Sequence, residues 1–310
     1  MKLGLGSYAY RWSIGIKDQR PARPLSAFDL LDRAEALGLS VVQYADNMPL
    51  DRLEAADHHR LYEIAQEKGL ALELGTQCFD ADEVDRYIEI GKRLHSKILR
   101  VALDEADGHI PTAELAEQLR PRVDAARAAG MKIAIENHFN YPSPRMVELL
   151  DIVNDDHLGV CLDVANSICA NEWPEETIGL LAPYTINLHL KDYEITPDTY
   201  GVGFRIHGVP LGTGRAPIRW TLDQLAHCPK DMSVILEHWL MIEGGTLDDA
   251  ITTGFAEPES FDMVTMWDVI EHVPDPQQLL REVRSVLKPD GVMLLETQNV
   301  DSRFAKMLVQ

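Results

Sequence analysis

Residues 132–166, KIAIENHFNYPSPRMVELLDIVNDDHLGVCLDVAN, contain two short apolar runs that each lead into a carboxylate. The runs begin at Lys132 and Gly159, and the 27 residues between these starts are enough for a strand, a helix and two loops. Near-continuous apolar runs are typical of parallel strands that are buried on both faces. This stretch therefore predicts one strand–helix–strand unit of a parallel sheet.

The same unit recurs along most of the chain. Six further apolar runs begin at Lys2, Val41, Leu70, Leu99, Ile186 and Ser233. Glycines close several of the amphipathic stretches between them, as they commonly close helices. Eight strand–helix alternations in about 250 residues predict an α/β fold, the (β/α)8 TIM barrel. The competing fold, a doubly wound sheet, is expected to have a G-x-G-x-x-G loop after the first strand, and GLGSYAYRW does not contain one.

The composition is that of an acidic globular protein. The 310 residues are 45% apolar, and 29 basic against 50 acidic side chains give a formal net charge of −21. Such a chain lacks the positive surface that attracts a phosphate backbone, which argues against a nucleic-acid partner. No run of about 18 apolar residues predicts a membrane span, and MKLGLGSYAYRW lacks the apolar stretch of a signal peptide. The four cysteines have no C-x-x-C spacing, so we expect a cytoplasmic protein with reduced thiols.

The chain changes character after Trp239. A loop-like stretch is followed, from about Glu259, by a pattern that predicts a short C-terminal strand-helix-strand appendage. We place the domain boundary between residues 253 and 254, which gives a barrel of residues 1–253 and an appendage of residues 254–310. A unit of roughly fifty residues is too small to bury a stable hydrophobic core of its own, so we expect it to dock on the barrel or on another chain. We hypothesise that its helix, from about Pro276 to Leu287, packs in the place of the eighth barrel helix. The unpaired edges of its strands make a homo-oligomer that covers them possible.

Candidate chemistry lies at the carboxyl ends of the barrel strands, where enzymes of this architecture carry their catalytic residues. The last four predicted strands end in Glu136, Asp163, His189 and Glu237. Three carboxylates at one rim would repel one another without a cation, and oxygen ligands with one imidazole suit Mn²⁺, Mg²⁺ or Co²⁺. The pattern therefore predicts a divalent metal ion as cofactor. The alternative is that each residue is an ordinary hydrogen-bonded rim group.

Residues 1 to about 245 resemble the xylose-isomerase-like TIM barrels, the sugar phosphate isomerase/epimerase group. The resemblance is carried by the motifs GLGSYAYRW, QYADNMPL, IAIENHFNYPS, GVCLDVANS, LHLKDY, GVPLGTG and VILEHW. It implies that Glu136, Asp163, His189 and Glu237 are the metal ligands and that the two glutamates act as acid and base. The implied activity is isomerisation or epimerisation of a sugar or sugar phosphate, by proton abstraction alpha to a carbonyl through a metal-stabilised enediolate.

Two departures from the family pattern bear on function. Many relatives have a histidine at the position of Asn166, so one expected contact to substrate or to a second metal is changed. Relatives that act as endonucleases need extra histidines, where this chain has Gln77 and Asp104 at the ends of strands three and four. Together with the negative net charge, this argues against DNA repair.

Further side chains near the strand ends are candidates for substrate binding. They are Tyr8, Trp12, His138, Lys191, Arg205 and His207. Tyr8 and Trp12 would stack on a sugar, while Lys191 and Arg205 would bind an anionic group. His207, in RIHGVPLGTG, is predicted to lie on a glycine-rich loop suited to form a lid. For each of these residues packing or a plain ion pair is the alternative.

The C-terminal segment is similar to the second half of class I S-adenosylmethionine-dependent methyltransferases. The similarity is carried by the runs VIEHVPDP and LKPDG. The glycine-rich loop that cradles the cofactor and the acidic residue that holds its ribose belong to the missing earlier half. S-adenosylmethionine (SAM) is therefore not expected to bind, and the segment is interpreted as a fusion remnant or docking element.

Two alternatives to the isomerase remain open. The first is a lyase, a metal-dependent dehydratase of a polyol or cyclic keto acid, in which removal of the same alpha proton expels a beta hydroxyl. The second is a non-catalytic fusion remnant whose tail mediates association. Product analysis separates isomerase from lyase because isomerisation conserves mass, and metal binding separates both enzymes from the non-catalytic protein.

Overall fold

The computed structural model describes residues 1–15, 21–139, 141–198 and 202–239, and in the C-terminal segment residues 261–267, 277, 280–281, 284 and 287–296. The chain divides into two compact units. One consists of Met1–Arg20 and Pro24–Met241, and the other of Pro21–Arg23 and Ile242–Gln310. No described helix has the length and apolar character that a membrane span requires.

The larger unit contains a closed barrel of eight parallel strands. The ten described strands of this unit, eight of which form the barrel, are β1 (Lys2–Gly6), β2 (Val41–Tyr44), β3 (Ala71–Thr76), β4 (Ile98–Ala102), β5 (Lys132–Glu136), β6 (Leu158–Asp163), β7 (Thr185–Leu190), β8 (Asp192–Pro197), β9 (Phe204–Val209) and β10 (Ser233–Leu236). The order around the barrel is β1-β10-β7-β6-β5-β4-β3-β2, while β8 and β9 pair separately. Each of the eight predicted strand starts lies within one residue of an observed start. The predicted (β/α)8 barrel is therefore confirmed.

Helices follow the barrel strands. They are α1 (Arg11–Ile14), α2 (Ala27–Ala36), α3 (Ala55–Glu67), α4 (Ala81–Leu94), α5 (Glu105–Gly108), α6 (Thr112–Ala128), α7 (Ser143–Val153), α8 (Pro174–Leu181) and α9 (Ile218–Gln224). Ser26 caps α2, because its Oγ accepts from the Asp29 N–H (3.3 Å) while Asp29 Oδ2 accepts from the Ser26 N–H (2.7 Å). Gly130 follows α6 at φ +73°, a left-handed conformation that suits glycine at a helix end.

The apolar core fills the space between the strands and the outer helices. Leu30 and Leu119 on helices, and Leu74, Val160 and Leu188 on strands, are completely buried in one cluster. Burying a side chain of this size contributes about 1.5–3 kcal/mol. Polar side chains are also buried in the strands, and these belong to the candidate site.

A hairpin that the sequence analysis missed lies between barrel strands β7 and β10. Strands β8 and β9 pair antiparallel, from Asp192 opposite Val209 to Pro197 opposite Phe204. These strands are short and partly polar, so they lack the near-continuous apolar runs by which the barrel strands are recognised. The long interval before the last barrel strand is therefore a hairpin followed by the glycine-rich loop.

The Asp192 carboxylate organises this glycine-rich loop. Its Oδ2 accepts from the N–H groups of Gly212 and Gly214, both at 2.9 Å. Its Oδ1 accepts from the N–H groups of Tyr193 (2.8 Å) and Ala216 (2.9 Å). A carboxylate with four backbone donors fixes the loop at the end of the barrel that carries the candidate site.

In the smaller unit two strands pair in parallel, β11 (Phe261–Trp267) and β12 (Leu287–Glu296). They agree with the two strands predicted for the appendage. The predicted helix from Pro276 to Leu287 lies mostly outside the described residues, although Leu280 and Arg284 are helical. Its placement as the eighth barrel helix and the boundary after residue 253 stay predictions.

Asp192→Asn is expected to lower the free energy of unfolding of the larger unit by about 2 kcal/mol or more. The amide is neutral and keeps one acceptor oxygen, so two of the four backbone N–H groups lose their acceptor and face an NH2 donor, and the other two keep only a neutral acceptor. Hydrogen bonds to charged groups contribute about 1.5–3 kcal/mol each. Urea denaturation measures the change. Asp231→Asn, at an exposed position, should stay within about 0.5 kcal/mol of the wild type, and equal losses in both variants would contradict this role of Asp192.

Candidate metal centre

Four side chains converge at the carboxyl end of the barrel. Glu136 ends β5, Asp163 ends β6, His189 lies in β7 and Glu237 directly follows β10. These strands are neighbours in the barrel, and Asp163 and His189 are paired in register. One potential ligand atom from each residue lies within 4.8 Å of the others, and all four side chains are buried. The structure thus brings together the four residues that the sequence placed at one rim.

The ring of His189 is held with one nitrogen toward the carboxylates. Its Nε2 lies 2.6 Å from Gln43 Oε1, and the Gln43 amide is oriented because its Nε2 donates to Glu73 Oε2 (3.0 Å) and Asn187 Oδ1 (3.2 Å). A carbonyl oxygen can only accept, so His189 Nε2 carries a proton. His189 Nδ1 lies 3.1 Å from Glu237 Oε2 without an aligned hydrogen bond. Such an outer partner fixes the tautomer of a metal-binding histidine.

A buried polar network continues from Gln43 into the barrel. Glu73 accepts from Gln43, from Asn187 Nδ2 (3.0 Å) and from Ser233 Oγ (2.6 Å). The sequence analysis did not identify these residues. The available signal was a polar side chain inside a strand that is otherwise apolar, as with Gln43 in β2 and Glu73 in β3.

Two cations neutralise part of the carboxylate charge. The buried Arg100 forms an ion pair with Glu136 through its Nε, and its Nη1 donates to the carbonyl oxygen of Thr76 (2.8 Å). Lys191 Nζ lies 2.6 Å from Asp163 Oδ2 and 3.3 Å from Glu237 Oε2. Lys191 therefore forms the ion pair that was the alternative to substrate binding. Arg100 is a site residue that the sequence analysis missed.

The charges are strongly coupled. Burial opposes ionisation of Glu136, yet Arg100 and His189 hold its pKa well below the ordinary value. Burial acts in the same sense on Glu237, but His189 and Lys191 lower its pKa to about 2. Burial disfavours a charged His189, whereas Glu237 and Glu136 are among the groups that raise its pKa well above the ordinary value. In the metal-free protein a proton on His189 thus supplies positive charge beside the carboxylates. A bound metal ion would replace that proton and supply the charge itself.

The residues present fit a divalent ion. Three carboxylates and one imidazole are a donor set that suits Mn²⁺, Mg²⁺ or Co²⁺. His189 Nδ1 and Glu237 Oε1 are buried and have no hydrogen-bond partner, which a bound cation would provide. A second group of Asp155, Asp156 and His157 lies partly exposed on the surface and has no comparable burial.

A cavity of about 390 Å³ opens beside the cluster. Glu136 and Glu237 line it, together with the aromatic rings of Tyr8, Phe139 and Trp239. Asn166 also lines it, and its Nδ2 donates to Glu136 Oε1 (2.9 Å). Both oxygens of Glu136 therefore have donors, whereas Glu237 Oε1 has none.

The predicted substrate-binding residues divide into two groups. Tyr8, His138 and Lys191 line the cavity, and the Tyr8 hydroxyl donates to Asp46 Oδ2 (2.8 Å). The lining residues do not include the other three, which are Trp12, Arg205 and His207. Arg205 and His207 lie on β9, where Arg205 forms an ion pair with Asp198 (3.2 Å). Substrate binding by these three residues stays a prediction.

A closed (β/α)8 barrel with an acid–histidine cluster at the carboxyl ends of its strands defines a class of TIM-barrel proteins. The family model of the xylose isomerase-like TIM barrel matches residues 31–253, and the chain belongs to this family. The resemblance inferred from the sequence motifs is thereby confirmed. A methyltransferase-domain model matches residues 245–295, in agreement with the similarity noted for the C-terminal segment.

Known proteins of several activities are similar to this chain. It is 29% identical over 241 residues to 3-oxo-isoapionate decarboxylase of Pectobacterium atrosepticum, which covers 77% of this chain and 86% of that relative. A xylose isomerase-like TIM barrel protein from Mycobacterium smegmatis, solved in complex with magnesium, gives a TM-score of 0.62 at 16% identity over 80% of this chain and 92% of that one. D-psicose 3-epimerase from Clostridium cellulolyticum H10 gives 0.59 at 17% identity over 93% and 100%. The two structural similarities establish a shared fold.

Arg100→Gln should destabilise the metal-free protein by about 3–5 kcal/mol at neutral pH, because it leaves the buried Glu136 carboxylate without its counter-charge. The ion pair depresses the folded-state pKa of Glu136, so the wild-type advantage is fully present above the ordinary glutamate value of about 4.3 and shrinks as pH falls toward the depressed value. Urea denaturation over this pH range measures both effects.

Arg86→Gln is the matched control for that experiment. Arg86 is exposed, and its Nη2 lies 3.9 Å from Asp51 Oδ2. Exposed pairs of this kind contribute about 1 kcal/mol or less. A loss in Arg100→Gln no larger than in Arg86→Gln would contradict the importance of the buried pair.

Proposed function

We propose that this protein is a divalent-metal-dependent isomerase or epimerase that acts on a sugar or sugar phosphate. The observation that carries the proposal is the buried cluster of Glu136, Asp163, His189 and Glu237 beside a cavity. Membership of the xylose isomerase-like family supports it. The shared fold with D-psicose 3-epimerase and with a magnesium-containing barrel is consistent with it.

The four cluster residues would hold the metal, with Mn²⁺, Mg²⁺ or Co²⁺ as the expected ions. A divalent ion at this site would act as a Lewis acid that polarises a substrate carbonyl and stabilises negative charge on adjacent oxygens. Arg100 and Lys191 would keep the carboxylates ionised and in place. Gln43 would keep His189 Nδ1 turned toward the ion.

The two glutamates would move the proton. Glu237 lines the cavity, and its Oε1 has no hydrogen-bond partner, so this oxygen could accept the proton alpha to the carbonyl. Glu136, after taking up a proton from water, would return it to the same carbon from the opposite face in epimerisation, or to the adjacent carbon in isomerisation. Tyr8, His138 and Lys191 would contact substrate hydroxyls or an anionic substrate group, since they line the cavity.

A lyase is the second candidate, and two observations favour it. The relative that is 29% identical is named a decarboxylase of a 3-oxo acid. In addition, both oxygens of Glu136 already have donors, from Arg100 and Asn166. Loss of CO₂ from a 3-oxo acid requires no base for the first step and only one proton donor afterwards, whereas two-sided epimerisation requires both glutamates. Dehydration would likewise use a single base.

Metal-stripped wild-type protein is expected to bind Mn²⁺ at one site by calorimetry, and Glu237→Gln should weaken that site by at least about a hundredfold. Removing a metal ligand should weaken metal binding at least as much as removing a residue that hydrogen-bonds to a ligand, which typically lowers metal affinity 10–100-fold. Asp156→Asn is the control, because this exposed residue belongs to the other acid–histidine group. Absence of binding in the wild type would contradict the proposal and favour a non-catalytic barrel.

Incubation of Mn²⁺-loaded protein with ketoses, their phosphates and 3-oxo sugar acids is expected to convert one of these classes, with Glu237→Gln as the inactive control. Mass spectrometry of the product decides between the two candidates. An isomerase or epimerase leaves the mass unchanged, whereas a lyase removes water or CO₂. Conversion that persists in Glu237→Gln would contradict the role of this glutamate as the base.

A further inference from the structure

Three basic side chains of the arginine and lysine type line the cavity: Arg11, Arg100 and Lys191. Arg100 is paired with Glu136, and Lys191 with Asp163 and Glu237. Arg11 differs from both, because no described carboxylate forms an ion pair with it and its Nε is buried without a hydrogen-bond partner. The part of the chain that the structure describes thus leaves one guanidinium of the cavity uncompensated.

The position of Arg11 suits a role in ligand binding. It begins α1, directly after the turn that follows β1, at the same end of the barrel as the metal cluster. Its Cζ lies 5.1 Å from the centroid of the Trp12 ring, so the aromatic ring supports the guanidinium. Burial lowers the pKa of Arg11, and Tyr8 and Glu237 only partly oppose this effect. A half-buried cation in this state gains from an anion brought by a ligand.

We propose that Arg11 binds a carboxylate of the substrate and that the natural substrate is therefore a sugar acid. The inference rests on the proposed function and changes its substrate class from a sugar or sugar phosphate to a sugar that carries a carboxylate. Arg100 and Lys191 offset two of the three carboxylates of the cluster, and Asp46 Oδ1 adds a fourth negative charge 3.7 Å from Arg100 Nη1. With a divalent ion these charges balance, and Arg11 adds one positive charge. A substrate that carries a carboxylate balances the charge of Arg11.

A carboxylate fits Arg11 better than a phosphate does. A guanidinium presents a planar pair of donors that matches two oxygens of either a carboxylate or a phosphate, so the number of available cations decides between them. Phosphate groups are commonly held by several donors at once, such as the N–H groups of a helix N-terminus. Among the described residues that line the cavity, Arg11 is the single arginine or lysine without an ion pair, which corresponds to a ligand group with one negative charge.

The test compares two ligands that differ in the carboxylate alone. 5-Keto-D-gluconate and L-sorbose share a hydroxyketone end, and at the far end the first has a carboxylate where the second has a hydroxymethyl group. Calorimetry with Mn²⁺-loaded wild-type protein should give roughly tenfold to a hundredfold tighter binding of 5-keto-D-gluconate, the range expected of a hydrogen-bonded charge. D-Fructose 6-phosphate and D-fructose form the corresponding phosphate pair.

Three variants test whether Arg11 is the residue that causes the preference for the carboxylate ligand. Arg11→Gln should abolish the advantage of the carboxylate, and Arg11→Lys, which keeps the charge without the planar pair of donors, should retain part of it. Arg33→Gln, at an exposed position on α2 outside the cavity, should retain all of it. Mn²⁺ affinity should be the same in all three variants, which separates loss of the carboxylate site from loss of the metal centre.

Several results would overturn the inference. The first is equal binding of 5-keto-D-gluconate and L-sorbose to the wild type. The second is a carboxylate preference that Arg11→Gln leaves undiminished. The third is a preference for the phosphate ligand that is larger than the carboxylate preference and is lost in Arg11→Gln. The last result would assign the same arginine to a sugar phosphate. Failure of the wild type to bind Mn²⁺ would contradict the proposed function itself, and with it the inference.

Discussion

The crowding of three carboxylates at the buried end of the barrel is the constraint on which the rest of the site depends. Glu136, Asp163 and Glu237 cannot remain ionised out of water unless positive charge lies beside them. Arg100 and Lys191 supply part of that charge as fixed ion pairs. The remainder falls to a proton on His189 or to a divalent ion in its place. The cluster therefore has the charge and the donor atoms of a possible metal site.

The polar network inside the barrel has a purpose that follows from the same constraint. A histidine between carboxylates is free to rotate or to take a second proton unless its other nitrogen is held. Gln43 holds Nε2 of His189, and Glu73 and Asn187 hold the Gln43 amide in turn. Buried polar groups are tolerated where each has a partner, as the side-chain atoms of Gln43, Glu73 and Asn187 do. The barrel interior thus combines apolar packing with a polar column that ends at the candidate metal centre.

The fold by itself does not choose among the reactions of this family. Barrels of the same architecture host unrelated chemistry, and the differences lie in side chains at the carboxyl ends of the strands. In this chain such features are the saturated hydrogen bonding of Glu136, the buried Oε1 of Glu237 that has no hydrogen-bond partner, and the uncompensated Arg11. These features bear on the number of bases, the direction of proton transfer and the charge of the substrate.

The sequence alone determined the barrel and the four cluster residues, because both are local patterns. A near-continuous apolar run marks a buried parallel strand, and the polar residue at its end must lie on the common rim. The hairpin of β8 and β9 and the partners Arg100 and Gln43 were decided by tertiary structure only. Gln43 and His189 are 146 positions apart, and a pairing across the barrel leaves no trace in the local pattern. For the same reason Arg11, and not Arg205, proved to line the cavity, since exposure and distance are set by how loops close over the strands.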